Sequence, residues 1–271
     1  MSRAAEQIDR LTEIMKHLRS ETGCPWDKQQ DIRSLRPYLI EEAYEVLEQM
    51  DLVAGGGPFG PLRDELGDLL FQIVFHAQLA TEAGDFELAD VIQAIADKIE
   101  FRHPHVFGEQ KGVSDPAEIA GSWVRLKAEE RRRKTGHAGS VIDGVPKDAP
   151  ALMRAERLTE KASRVGFDWK CVADVRAKLD EEIGELDEAI ATGDSRRVEE
   201  ELGDVLFALA NLGRRLEVHP EDALRGTLDR FASRFHYIEQ RLREQGREPA
   251  DSTLEEMDGL WNEAKRRAAQ A

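Results

Sequence analysis

Cysteine is nearly missing from this chain: Cys24 and Cys171 are the only two in 271 residues. Two isolated thiols make neither a disulfide framework nor a zinc site. Each lies close to a tryptophan, Trp26 and Trp169, and both thiols are expected to be reduced and buried. Basic charge is also in deficit. Lys+Arg number 38 against 54 Asp+Glu, giving a net charge of −16. That balance disfavours nucleic acid as a partner, because phosphate backbones are bound by basic surface. It leaves room for a free nucleotide, whose phosphates a metal ion can bridge to carboxylates. No apolar run approaches membrane-spanning length, and the N-terminal stretch MSRAAEQIDRL lacks the apolar core of a signal peptide. The expectation is a soluble, cytoplasmic protein with no membrane partner. Convincing period-two alternation is missing too, so no strand is expected.

Acid at helical spacing is what the chain does have. Residues 178–207 read KLDEEIGELDEAIATGDSRRVEEELGDVLF. Glu182-x-x-Glu185 lies on one expected helix and Glu201-x-x-Asp204 on the next. Residues three apart on a helix share a face, so each pair points two carboxylates the same way. A short turn at Gly193-Asp194 lets the helices lie antiparallel, and the four acids can then face one another. Such a group repels itself unless a cation sits within it. A hard divalent ion, magnesium above all and manganese as a substitute, takes oxygen ligands of this kind. Taken alone, acids at this spacing are more often a solvated helix face. Here Leu202, Val205, Leu206 and Leu209 run beside Glu201 and Asp204, which places the acidic face close to a core.

The same stretch occurs twice. Residues 38–71 read YLIEEAYEVLEQMDLVAGGGPFGPLRDELGDLLF. There Glu42 and Glu45 answer Glu182 and Glu185, and Glu65 and Asp68 answer Glu201 and Asp204. The match runs further: Lys98-x-x-x-Arg102 answers Arg230-x-x-x-Arg234, and Trp123-x-x-x-Lys127 answers Trp261-x-x-x-Lys265. Glu42 and Trp123 are 81 positions apart, and Glu182 and Trp261 are 79 apart. The chain is a tandem duplication. Apolar spacing predicts helices over 4–20, 36–50, 62–83, 87–102 and 115–134, then 151–165, 173–191, 195–217, 220–243 and 253–269. Cys24-Pro25-Trp26-Asp27 reads as an ordered loop, and AGGGPFGP at 54–61 as a non-helical one. The fold class is all-α: two bundles of four to five helices, 1–134 and 151–271, joined by a Gly/Pro-rich linker at 135–150.

The doubled EExxE…ELGD pattern, with CPWD, RHPHVF, PALMRAE and VGFDW, resembles the MazG family of nucleoside triphosphate pyrophosphohydrolases. The resemblance covers essentially the whole chain and matches the two-domain form. It implies an all-α homodimer that depends on magnesium. It also implies hydrolysis of NTPs or dNTPs to the monophosphate and pyrophosphate. By match to the family motif, Glu182, Glu185, Glu201 and Asp204 become the metal ligands, with Glu182 or Glu185 first in line to activate water. The matching acids Glu42, Glu45, Glu65 and Asp68 form a second candidate set. Candidates for holding the anionic substrate are Lys178, Arg197, Arg230, Arg234 and Lys265, with Trp261 stacking on the base. Glu181, Glu200 and Asn211 complete the expected substrate-binding group. Taken singly, Arg230 and Arg234 read as a solvated face and Trp261 as a core residue.

The copies differ where substrate is expected. Lys178 corresponds to Tyr38, and Asn211 to Phe75, so the second unit keeps polar groups where the first has aromatic ones. The main activity is therefore expected in residues 151–271. Two other classes compete. A di-iron bundle needs Glu-x-x-His pairs on facing helices, and Glu100-x-x-His103 is the one such spacing here, with no counterpart in the second unit. A non-catalytic helical scaffold, solvated by its acidic helices, predicts no turnover with any nucleotide.

Overall fold

The structure is a computed structural model, and it describes residues 2–108, 115–136 and 139–269. The chain divides into two compact units, Met1–Gly136 and His137–Ala271. Among the described residues there is no strand. Of the expected linker at 135–150, Thr135 closes a helix, His137 and Ala138 lie outside the described residues, and residues 139–150 carry turns without helix.

Unit 1 holds α1 (Arg3–Arg19), α2 (Pro25–Gln29), α3 (Arg36–Ala54), α4 (Phe59–Glu82), α5 (Leu88–Arg102), α6 (Pro104–Phe107) and α7 (Pro116–Thr135). Its core is Met15, Leu35, Val74, Phe75, Ala77 and Leu88, so α4 is the central helix, packed on α1, α3 and α5. Two expectations need correction. The Cys-Pro-Trp-Asp segment is not all loop: Cys24 is an N-cap and Pro25 begins α2 at the first helical position, where its missing N–H costs nothing. The segment 54–61 is likewise not free of helix. Pro58 is the N-cap of α4, and Pro61 falls in the first turn, where backbone N–H groups have no partner to lose.

Unit 2 holds α8 (Ala151–Ser163), α9 (Val172–Thr192), α10 (Ser195–Arg215), α11 (Pro220–Arg243), a 3₁₀ turn (Pro249–Asp251) and α12 (Leu254–Ala268). The helices α9 and α10 form a tight hairpin around Leu179, Val205 and Ala208. Gly193 closes α9 at φ 70°, a left-handed conformation that glycine adopts without strain. Asp194 then caps α10, its carboxylate accepting from the N–H groups of Arg196 and Arg197 at 3.1 and 3.3 Å. Two residues thus reverse the chain and set the register between the acid pairs. In unit 1 the equivalent connection runs over residues 55–58.

Burial departs from expectation at two places. Cys171 is exposed and Cys24 half-buried, and both are free thiols. The surface position of Cys171 follows from its place at the N-terminus of α9, where its N–H donates to Asp174. On α10, Val205 is buried, but Leu202, Leu206 and Leu209 remain 46, 46 and 44 % exposed. The expected core beside the acids is therefore only half built within one chain.

Candidate active site

The α9–α10 hairpin carries the acids to one point. Oxygens of Glu182, Glu201 and Asp204 lie within 4.8 Å of one another, a set able to share one metal ion. Glu182 comes from the buried side of α9 and is 8 % exposed. Glu185 stands outside that trio, bound to it through a hydrogen bond with Glu182. Desolvation, then the charges of Glu201 and Glu182, push the Glu185 carboxyl above its ordinary value. One cation is already present. The Lys178 ammonium, one turn earlier on α9, donates to Glu181 at 2.7 Å and pairs with Glu182 at 2.9 Å. Those two partners, Glu181 first, raise the lysine above its ordinary value and keep it charged.

Arg197 lies at the rim, 3.5 Å from Glu201 and 3.6 Å from Glu188. Glu200 points away from the trio and pairs with Arg196 at 3.1 Å. The residues of α11 and α12 form a separate group. Arg234 lies over the ring of Trp261 at 5.2 Å, and Phe231 tilts against the same ring at 5.2 Å. Arg230 donates to Thr227 at 2.7 Å, and Lys265 is exposed. Asn211 is 1 % exposed, and its carbonyl accepts twice from Arg214, at 3.0 and 2.8 Å. Arg214 also reaches Asp168 at 2.6 Å, and Arg215 reaches the same carboxylate at 3.3 Å. Burial would raise the Asp168 carboxyl, but Arg214, the Trp169 N–H and Arg215 outweigh it and hold the pKa down. The spacing of residues did not reveal this clamp, because Asp168 and Arg214 are 46 positions apart. The VGFDW signature was its only trace in the sequence.

Unit 1 gathers a different trio from the matching positions: Glu45, the match of Glu185, is in it, and Asp68, the match of Asp204, is not. Oxygens of Glu42, Glu45 and Glu65 lie within 4.8 Å of one another. Desolvation, then Asp68 and Glu45, raise the Glu42 carboxyl, against a hydrogen bond from Gln72 that lowers it. Glu65 is raised too, by desolvation and then Glu45. The aromatic group also recurs: Arg102 lies over Trp123 at 5.2 Å, the same spacing as Arg234 over Trp261. Arg102 further pairs with Glu130 at 2.6 Å. His103 turns its Nδ1 to the Ile99 carbonyl at 2.7 Å and belongs to neither acidic cluster found among the described residues.

A helical hairpin that gathers carboxylate oxygens around one point, built twice in tandem, defines an all-α class of acidic sites suited to a hard cation. The chain belongs to the MazG family: the model of the MazG nucleotide pyrophosphohydrolase domain matches residues 30–107 and 172–238. It is 43 % identical over 263 residues to the nucleoside triphosphate pyrophosphohydrolase of Escherichia coli (strain K12), covering 96 % of this chain and 97 % of that one. It is 42 % identical over 266 residues to the nucleoside triphosphate pyrophosphohydrolase/pyrophosphatase MazG of Thermotoga maritima, covering 98 % of each. A Bacillus subtilis relative, uncharacterized protein YabN, is 43 % identical over 253 residues, 93 % of this chain and 50 % of that one.

Proposed function

We propose that the protein hydrolyses nucleoside triphosphates between the α and β phosphates, releasing the monophosphate and pyrophosphate, with unit 2 carrying most of the activity. The observation behind this is the meeting of Glu182, Glu201 and Asp204 within 4.8 Å, with the Lys178 ammonium 2.9 Å from Glu182. The names of the full-length relatives support it. Carboxylate oxygens at that spacing fit magnesium, with manganese as substitute. Glu182, Glu201 and Asp204 would hold the ion, with Glu185 beside them. An ion bound there would supply positive charge against the charge that builds during phosphoryl transfer.

The remaining chemistry belongs to side chains. Glu185, hydrogen-bonded to Glu182 and raised in pKa, orients the attacking water and accepts its proton. Lys178 exchanges its carboxylate partners for phosphate oxygens, while Arg230 and Arg234 meet the outer phosphates. Trp261 presents a flat face to the base, and stacking of that kind tolerates different bases. Asn211, its carbonyl committed to Arg214, lies beneath the substrate. Glu181, Arg197, Glu200 and Lys265 form the charged rim. Unit 1, where Tyr38 replaces the lysine, is structural, regulatory or weakly active.

Two copies of the chain pair through the exposed apolar face of α10. Leu202, Leu206 and Leu209 recur at a one-face spacing there and are close to half exposed, joined by Ile183 and Ile190 of α9 at 40 and 58 %. The setting proposed is the cytoplasm, with nucleotides and a second copy as partners and no nucleic acid. The test is product analysis with each NTP and dNTP, with and without magnesium, separated by ion exchange. Monophosphate plus pyrophosphate is expected only with metal, lost in Glu182→Gln and retained in Glu42→Gln. Diphosphate plus phosphate would refute the mechanism, and no turnover would leave a helical scaffold as the better reading.

A further inference from the structure

Two of the chain's seven histidines, His103 and His105, stand on either side of one proline. On an unbroken helix, residues two apart do not face each other. Here the helix is broken. A residue before proline is pushed out of the α region, and His103 takes φ −121° and ψ 56°. It closes α5, and Pro104 opens α6. With the chain turned at that point, the two imidazoles meet, their centroids 5.6 Å apart and their planes inclined by 51°.

The protonation of one ring follows from its partner. The Nδ1 of His103 lies 2.7 Å from the Ile99 carbonyl oxygen, which can only accept. In the neutral ring the proton is therefore on Nδ1, and Nε2 keeps its lone pair. Metal-ligating imidazoles are oriented in this way, the second nitrogen donating to a backbone carbonyl. The ring nitrogens of His105 have no hydrogen-bond partner among the described residues. Both histidines are half-buried. The Trp123 ring stands against His103 at 6.5 Å. Arg102 lies over that same tryptophan, and its charge is compensated by Glu130 at 2.6 Å.

The ring separation fits a shared ion. With Zn–N bonds of about 2.0–2.1 Å, two imidazoles on one tetrahedral zinc have centroids about 5 Å apart. A small closure of the pair is enough. We propose that His103 and His105 form a site for a borderline-soft transition-metal ion, zinc first, separate from both acidic clusters. Imidazole suits zinc, copper and nickel, whereas magnesium prefers oxygen. Two protein ligands leave half of a tetrahedral shell to water or an exchangeable anion. The ion ties α6 to the end of α5 beside Trp123. Unit 2 has no counterpart: in the register that matches Arg102 with Arg234, the two positions are Phe235 and Tyr237. The site is therefore a property of unit 1 alone, and it stands independently of nucleotide hydrolysis.

The experiment is a zinc titration of the full chain against a chromophoric chelator, in excess Mg²⁺ to occupy the carboxylates. The wild type should take up one zinc per chain. His103→Asn keeps an amide donor near the Nδ1 position but has no Nε2, and His105→Phe keeps a ring without nitrogen. Each should weaken zinc binding about tenfold or more. Cys171→Ser and His219→Asn should leave it unchanged. With one Cu²⁺ under the same conditions, electron paramagnetic resonance should show two nitrogen ligands in the wild type and one in His105→Phe. Zinc should raise the melting temperature of the wild type and not that of His105→Phe. If the histidines serve packing alone, zinc shifts neither melt and copper shows no paired nitrogens. The proposal is overturned by that result, by the absence of a zinc equivalent in excess Mg²⁺, by its survival in His103→Asn or His105→Phe, or by its loss in Cys171→Ser or His219→Asn.

Discussion

The apolar face of α10 sets the strength of the proposed dimer, and replacing Leu206 and Leu209 by glutamine tests it. Those residues keep 46 and 44 % of their surface within one chain. Full burial of a leucine side chain contributes about 1.5–3 kcal/mol, so the part a partner can still cover is worth about 1 kcal/mol per residue. Two-fold symmetry counts each change twice. The double variant should therefore lose about 4 kcal/mol of association free energy, close to a thousandfold in Kd. Any glutamine amide left without a partner in the interface would add to that loss. Sedimentation velocity over a concentration series reads the shift directly. Folding should survive, since neither leucine belongs to the core of its own chain, and circular dichroism would check this. A wild type that stays monomeric at tens of micromolar would refute the reasoning, as would a double variant whose dimer is undiminished.

Three other perturbations have defined outcomes. Asp168→Asn strips the shared carboxylate from Arg214 and Arg215, whose side chains are 13 and 26 % exposed, and should destabilise unit 2 by about 3 kcal/mol in a thermal or urea melt. Because the Asp168 pKa is depressed, its contribution is present above the ordinary value of 3.8 and is lost as pH falls from there through the folded-state value. Melts below pH 4 should accordingly show a smaller gap between wild type and variant than melts at pH 7. Lys178→Met should lower kcat/KM about a hundredfold, the scale of losing one preorganised charge at the reacting phosphate. The wild-type lysine is raised above 10.5 by Glu181 and Glu182, so its stabilising charge is complete below 10.5 and fades only as pH climbs through the folded-state value. No loss of rate from its titration should appear below pH 10. Trp261→Ala should raise KM for nucleotides about tenfold, within the range measured for base stacking, and leave kcat less affected.

Much of the site could be read from spacing because its key contacts are local. Glu182 with Glu185, and Glu201 with Asp204, are fixed by helix geometry, and two intervening residues set how the helices return. The repeat supplied the rest of the outline, down to the matched Arg102–Trp123 and Arg234–Trp261 pairs. What spacing could not show was set by distant or absent neighbours. Asp168 meets Arg214 only because the loop before α9 folds back on the end of α10. Gln72 reads as one polar residue in an apolar run, and only the fold shows that it is buried with its Oε1 unpartnered. The start of α4 was hidden by Pro58 and Pro61, residues that break a helix interior but suit a helix entrance. Leu202, Leu206 and Leu209 read as core because apolar spacing marks a face to be buried and does not say that the chain itself leaves that face half exposed.

The two hairpins are joined with very different slack. Gly193 and Asp194 leave nothing to spare between α9 and α10, whereas residues 55–58, three glycines and a proline, separate α3 from α4. Adding one residue to the tight turn would rotate α10 by a quarter-turn or more relative to α9 and carry Glu201 and Asp204 off the shared axis. The looser connection can absorb the same insertion in its glycines. Unit 2 is therefore a poor place to splice a tag, a fluorophore or new chain termini, and residues 55–58 are the natural point at which this protein can be cut and rejoined.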